Sequence, residues 1–433
     1  MLTIINWQDL TLIQQQQRLS RPIQQQNAMQ NVQAVIAAVK IQGDEALKTF
    51  TQTWDKVILS NICIAREAIE NAKIKPEEQA AIGAAIDTIT YFHQAMKPKD
   101  LTVTTANGID IARVYRPIQR VGLYVPGGNN TPLISSLLMQ AIPARVAGCP
   151  IRVLCTPPKP DGSIDPRLLV AARLCEIETI YSIGGAQAIA AMAYGTQSVQ
   201  KVDKIFGPGN QYVTIAKTQV SIDPNGAAID LPAGPSEAMV LGDSNANPAF
   251  IAADLLAQAE HGVDSQVIYL CESLNGANAV NQEISKQLDK LTRREMIKKT
   301  LANSCIIICK ERSQLLKIIN DYAPEHLIIN RKDAKHWVAD IQTAGTIFLG
   351  PWAAETMGDY ITGSNHVLPT NGYARTHSGL CTTDFLKAIS VQSISEEGLE
   401  TLGPYAETLA QIEGLDAHAN AVTLRLENLR RIA

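Results

Sequence analysis

Hydrophobic and polar positions along the chain show two textures. Up to about residue 100, apolar residues keep helical spacing: Val32, Val35, Ile36 and Val39, then Ile82, Ile86, Ile89 and Phe92 after the helix-start signal Pro76-Glu77-Glu78. From residue 118 short apolar runs alternate with helical periodicity. Strands are expected at 120–125, 151–155, 179–183 and 204–206, with helices from about 132 and over 167–175, 186–194 and 211–220. After Asp230-Leu-Pro-Ala-Gly-Pro-Ser-Glu237 a second set begins, with strands at 239–241, 266–271, 305–309, 327–329 and 346–349. Its helices cover 250–260, a long stretch to about 302, then 313–322 and 333–341. Strands and helices alternating at this spacing imply parallel sheets with helices on their faces. The chain closes with a strand at 388–394 and a helical tail, where Leu415, Ala419, Val422, Leu424 and Leu429 form an apolar face that must pack on this chain or a partner.

The fold expected is α/β: two incomplete Rossmann-like parallel-sheet domains, a small N-terminal helical arm and a C-terminal helical tail. The arm is placed at 1–25, a larger discontinuous domain at 26–122 and 237–380, an inserted domain at 123–236, and the tail at 381–433. Three strands of the first set end in glycine-rich turns, Pro126-Gly127-Gly128, Gly184-Gly185 and Gly207-Pro208-Gly209. Ligands of open α/β sheets bind at such strand ends. No G-x-G-x-x-G opens a βαβ unit, so fold alone does not argue for a dinucleotide.

Composition narrows the class. A net charge of -4 without a basic tract, and 5% aromatics, disfavour nucleic acid and membrane surfaces as partners. No apolar run reaches the roughly 18 residues that span a bilayer. The first ten residues lack the signature of a secretory signal, so a cytoplasmic protein is expected. Eight cysteines in 433 residues are too dilute for a disulfide scaffold. Cys149 and Cys155 flank a strand; a thiolate there could serve aldehyde oxidation, but apolar neighbours favour buried packing.

Seven histidines can be weighed one by one. His93 and His336 read as surface or packing residues. Gln258 and His261 share one face at the end of the 250–260 helix, where they either grip a metal or polar ligand or simply suit a helix terminus. His326 follows Glu325 at a turn, and one of the two could act on an alcohol while the other handles water. His366 comes seven residues after Asp359 across a loop, and His418 five after Glu413. Histidine nitrogens with Asp and amide oxygens suit Zn²⁺, although the spacing matches no zinc finger and no H-E-x-x-H.

The chain resembles the histidinol dehydrogenase family over essentially its whole length. The resemblance is carried by Val121-Gly-Leu-Tyr-Val-Pro-Gly-Gly128, Gly184-Gly-Ala-Gln-Ala-Ile-Ala190, Val202-Asp-Lys-Ile-Phe-Gly-Pro-Gly-Asn210, Asp230-Leu-Pro-Ala-Gly-Pro-Ser-Glu237, Ala257-Gln-Ala-Glu-His261, Pro324-Glu-His-Leu327, Gly358-Asp-Tyr-Ile-Thr-Gly-Ser-Asn-His-Val-Leu-Pro369 and the Glu413…His418 tail. It implies a zinc- and NAD⁺-dependent oxidation of L-histidinol through L-histidinaldehyde to L-histidine, the last steps of histidine biosynthesis. Gln258, His261, Asp359 and His418 match the family's zinc ligands, one Zn²⁺ per subunit. Those four also face substrate, with Ser236, Glu325, His326, His366 and Glu413. Glu325 and His326 match the proton-transfer pair, and Tyr124, Gln187 and Asn210 match NAD⁺ contacts. A homodimer is implied, with the tail reaching into the neighbour's site. Asn129-Asn130, Gly262-Val263 and His377 depart from the family's pattern and touch none of these positions. An aldehyde dehydrogenase using Cys149 or Cys155, and a non-catalytic zinc- or metabolite-binding protein, are the alternatives.

Overall fold

The strand Glu237–Gly242 is buried at every position and runs through the middle of a six-stranded parallel sheet. Its order is Thr3–Asn6, Cys305–Ile308, Gln266–Cys271, Glu237–Gly242, His326–Asn330, Thr346–Leu349. The structure, a computed structural model, describes all residues except 23–27, 129–130, 232–233 and 433. The Gln24-Gln25-Gln26 run and Asn129-Asn130 therefore lie outside the described residues.

Alternate residues of these strands enter different cores. Val240, Val267, Tyr269, Ile306 and Ile328 pack with the helices Pro248–Ala259, Leu274–Leu288 and Arg294–Ala302. Met239, Leu241, Ile268, Ile307, Leu327 and Ile329 pack with Arg312–Tyr322 and the 3-10 turn Ala334–Asp340. Both faces are covered, which is why the strands read as unbroken apolar runs. The helix expected to run unbroken to about 302 is two helices, parted at 289–293, and 333–341 is 3-10 rather than α.

A second, five-stranded parallel sheet is ordered Ala228–Ile229, Lys204–Phe206, Arg120–Tyr124, Ile151–Thr156, Thr179–Ser182. One core there joins Tyr124, Val153, Cys155 and Tyr181 to the helices Ala28–Gln42, Gly185–Tyr194 and Gln211–Ile222. Residues 230–236 pass from the carboxyl end of Ala228–Ile229 to the amino end of Glu237–Gly242. Eight residue steps span at most about 28 Å, so this connection holds the two edges within that reach.

The N-terminus corrects the expectation of a helical arm. Thr3–Asn6 is an edge strand paired in parallel with Cys305–Ile308, and among the described residues of that stretch the helical parts are the 3-10 turn Trp7–Asp9 and the α-helix Leu12–Arg18. Leu2, Ile5 and Trp7 are core residues, so the start of the chain is anchored by burial.

Contacts divide the chain into two units: Met1–Met96 with Ile118–Phe385, and Lys97–Pro117 with Leu386–Ala433. The second unit holds a three-stranded antiparallel sheet in which Ile109–Pro117 pairs with both Leu101–Ala106 and Leu386–Ile394. The helices Glu396–Ile412 and Asp416–Ile432 follow. No helix among the described residues is long and apolar enough to cross a membrane.

Candidate active site

The amino edge of the six-stranded sheet carries a cluster of buried polar side chains. Glu237 and His326 open neighbouring strands, and Gln258 comes from the C-terminal turn of Pro248–Ala259. Glu325 precedes His326 and turns back, so its Oε2 accepts the Glu237 N–H at 2.8 Å. All four side chains are buried. The Gln258 amide nitrogen faces two acceptors, Glu237 O at 3.2 Å and Glu325 Oε2 at 3.3 Å. Both of its hydrogens are thereby engaged, and the amide cannot be reversed without setting oxygen against oxygen. Gln258 Oε1 is left buried with no partner. The same groups face the His326 ring. Its Nδ1 lies 3.0 Å from the Gln258 nitrogen and 3.3 Å from Glu237 O. A carbonyl only accepts, so a hydrogen on Nδ1 can be given to Glu237 O, and Nε2 faces Asp359 Oδ1 at 3.5 Å.

A buried ion pair supports this floor. Arg21 is paired with Glu237, and its Nη2 also donates to Tyr322 O at 2.7 Å. Asn371 N–H reaches Glu237 Oε1 at 2.9 Å.

Across from the floor, the short helix Glu355–Tyr360 presents Glu355 and Asp359 one turn apart. His326, Glu355 and Asp359 each offer a ligand atom, all within 4.8 Å of one another. Burial pushes the Glu355 carboxyl up to about 8, and Glu355 Oε2 has no partner. Burial likewise pushes Asp254 up to about 6, against a hydrogen bond from the Glu355 backbone. Burial also opposes charge on Asp359, yet the imidazoles of His326, His366 and His261 hold its carboxyl below the usual value. Burial disfavours charge on His326, but the carboxylates of Glu355, Glu325 and Asp359 outweigh it and keep its pKa well above the ordinary value. His366 Nδ1 donates to Asp359 O at 2.8 Å, which frees its Nε2; burial lowers its pKa. The set suits a divalent cation: a partnerless buried amide oxygen, a carboxylate and nearby imidazoles are the donor types of such sites. A cation held there would offset the carboxylate field and release the His326 proton more readily.

The glycine-rich turns lie at the carboxyl edge of the five-stranded sheet. Tyr124 is buried and its hydroxyl accepts the Gly185 N–H at 2.9 Å. Gln187, in the first turn of Gly185–Tyr194, has a buried Oε1 without a partner. Asn210 is exposed and caps Gln211–Ile222, accepting from Tyr212 N at 3.0 Å and Val213 N at 3.2 Å. Gly207 has φ +118, and a Cβ on it would stand 2.1 Å from Tyr124 O. Lys217, itself buried, pairs with Asp230 and donates to Gly207 O at 2.8 Å, fixing that turn from beneath.

The structure thus gathers Gln258, Glu325, His326, Asp359 and His366, with exposed His261 near enough for its charge to act on Asp359. Ser236 is half-buried immediately before Glu237. Glu413 and His418 are exposed residues of the second unit. Glu237, Asp254 and Glu355 escaped the sequence reading; the four-residue spacing of Glu355 and Asp359 was the available signal for one of them. Of the surface and packing readings of His93, the structure gives packing: it is fully buried, between Thr382 and Asn365. His336 and His377 are exposed. Cys149 and Cys155 are buried, and burial raises the Cys155 pKa far above that of a reactive thiol.

Two helix-covered parallel sheets, with a buried imidazole–carboxylate pair beside a cation-suited cluster, are the features of an α/β enzyme. Comparison with known proteins narrows this. The family model for histidinol dehydrogenase matches residues 19–426. The chain is 62% identical over 429 residues to a histidinol dehydrogenase of Legionella pneumophila, covering 99% of this chain and 100% of that protein. It is 48% identical to one from Vibrio vulnificus over 433 residues, 99% of each. The crystal structure of histidinol dehydrogenase from Elizabethkingia anophelis matches with a TM-score of 0.95 at 41% identity, over 99% of both chains. The chain belongs to the histidinol dehydrogenase family and is an oxidoreductase.

Proposed function

We propose that the chain oxidises L-histidinol through L-histidinaldehyde to L-histidine with two molecules of NAD⁺, at the end of histidine biosynthesis. The observation that carries this is the buried Glu325–His326 pair, contacted by the Gln258 amide nitrogen and facing Asp359. Gln258, His261, Asp359 and His418 would hold one Zn²⁺ per subunit, and residues 123–236 would bind NAD⁺ through Tyr124, Gln187 and Asn210. When bound, the metal fixes and polarises the substrate, and NAD⁺ accepts the hydride.

The residues of the chain do the rest. His326 keeps its hydrogen on Nδ1 and takes the hydroxyl proton on Nε2 as the alcohol carbon is oxidised. Glu325, held by the Glu237 N–H and the Gln258 amide, draws a proton from the water that hydrates the aldehyde. Ser236, His366 and Glu413 orient the substrate, and burial of the floor excludes bulk water. The working form is a cytoplasmic homodimer that shares its sites through the tails, with neither nucleic acid nor membrane as partner.

The test counts NADH per histidine formed, with and without a chelator. Two NADH per histidine are expected, lost on chelation and restored by Zn²⁺. One NADH with aldehyde accumulating overturns the four-electron assignment. Histidinol binding without any NADH formation would instead favour a non-catalytic metabolite-binding protein.

A further inference from the structure

Arg21 follows the N-terminal helix Leu12–Arg18 and is far in sequence from the Glu325–His326 pair, yet its guanidinium grips two sides of that site. Its Nε and Nη2 form a fork on the two oxygens of Glu237, with Nη2 2.8 Å from Oε2. Nη2 also donates to Tyr322 O at 2.7 Å and lies 3.5 Å from Ala323 O. These carbonyls end the helix Arg312–Tyr322, where a cation is favoured. The guanidinium sits 4.1 Å above the Tyr322 ring. The Tyr322 hydroxyl donates to Gln266 Oε1 at 2.8 Å, and Gln266 Nε2 donates to Ser20 O at 3.2 Å, beside Arg21. Glu237, Gln266 and Tyr322 are buried, and the Arg21 side chain is 17% exposed.

Both ends of one hydrogen bond are therefore tied to the same cation. Glu237 supplies the N–H that Glu325 Oε2 accepts at 2.8 Å. Tyr322 and Ala323 lead into Glu325 through Pro324 alone. Ala323 is left-handed at φ 53, a conformation that a non-glycine residue holds only where its surroundings impose it. His326 is fastened differently. It pairs with Ala238 and Thr346 within the sheet, whereas Glu325 stands before the strand. A loosened helix end thus displaces Glu325 more than His326.

Resting on the reading of Glu325 as the group that activates water, we propose that Arg21 is a positioning residue for the aldehyde step. It holds Glu325 against the Glu237 N–H, and a misplacement of about 1 Å in such a group costs up to about 10²-fold in rate.

The experiment uses the full-length, zinc-loaded protein and two variants. Arg21→Lys keeps the charge but not the fork, and Arg21→Met/Glu237→Gln leaves no lone buried charge. Stopped-flow NADH formation is followed from histidinol and, separately, from the aldehyde, with zinc content and unfolding midpoints. Aldehyde oxidation should slow about ten-fold or more and the histidinol step by no more than about two-fold, with KM for NAD⁺ and zinc content unchanged. Added to Glu325→Gln, Arg21→Lys should cause no further loss in the aldehyde step, because both act through one group. A further additive loss there, or equal slowing of both steps in a folded variant, marks a merely structural effect and overturns the proposal. So does a folded variant in which neither step slows. If Glu325→Gln itself spares the aldehyde step, the reading of Glu325 falls and the proposal with it. A selective loss in Glu325→Gln without one in the Arg21 variants overturns the role of Arg21 alone. Failure of both variants to fold assigns the ion pair to stability and overturns the positioning role.

Discussion

Gln258 illustrates how a single side chain is fixed on one side and left open on the other. Two acceptors hold its nitrogen, and the oxygen opposite them has no donor. In the proposed reaction, Glu325 and His326 divide the chemistry. Glu325→Gln keeps the shape but cannot take a proton from water, so the second oxidation should slow by 10²-fold or more while the first is largely spared. His326→Asn should slow both by about 10²–10⁴-fold with zinc content unchanged. Stopped-flow NADH formation from histidinol and from the aldehyde, with metal analysis, checks both; equal slowing of both steps by Glu325→Gln would contradict the division. His93 gives a prediction of another kind. The Thr382 hydroxyl donates to His93 O at 2.8 Å, so its oxygen accepts from Nδ1 at 3.2 Å, and Asn365 can only donate to Nε2. The neutral ring satisfies every partner, and burial lowers its pKa to about 4. The unfolded chain takes up this proton below its pKa of about 6.5 and the folded one does not. Stability should therefore fall as pH drops from about 6.5 towards 4, by up to roughly 3 kcal/mol from this group. Chemical denaturation across that range should show a shallower pH slope in His93→Gln; an identical slope rules the group out.

At the scale of elements, the two sheets are used at opposite edges. The glycine turns follow the carboxyl ends of their strands, whereas His326 and Glu237 begin theirs. The turn at Gly207 is the tightest joint of the first edge, with Tyr124 O where a side chain would start. Gly207→Ala meets both a positive φ and a backbone clash. It should cost about 3 kcal/mol or more and weaken NAD⁺ binding, as read by the unfolding midpoint and by titration. A variant as stable as the wild type would mean that the turn has another conformation open to it. The N-terminal segment has an equally defined task. Its strand extends the six-stranded sheet, and Arg21 neutralises Glu237 directly behind Glu325.

At the scale of the whole molecule, the proposed function assigns His418 and Glu413, exposed residues of the second unit, to the zinc and the substrate. If the tail serves the neighbouring subunit, inactive His418→Asn and Glu325→Gln proteins should complement each other. After subunit exchange half the dimers are mixed, and each has one intact site, so about a quarter of full activity should return. No recovery would place His418 in its own subunit's site. By itself the sequence determined the alternating α/β class, both parallel sheets and most strand positions, because an apolar run between glycine and proline turns has few other uses. Local spacing also marked Gln258 with His261 and Glu325 with His326. It misread the N-terminal strand, whose partner lies some three hundred residues away at Cys305–Ile308. It missed Glu237, Asp254 and Glu355, since a carboxylate looks the same in sequence whether solvated or buried. Tertiary structure alone decided that the amide oxygen of Gln258 is left without a partner, that Nε2 of His326 faces Asp359, and that Glu325 and His326 meet Glu237 at the amino edge of their sheet. Those facts depend on packing and on the count of donors and acceptors in a space without water, which no local pattern encodes.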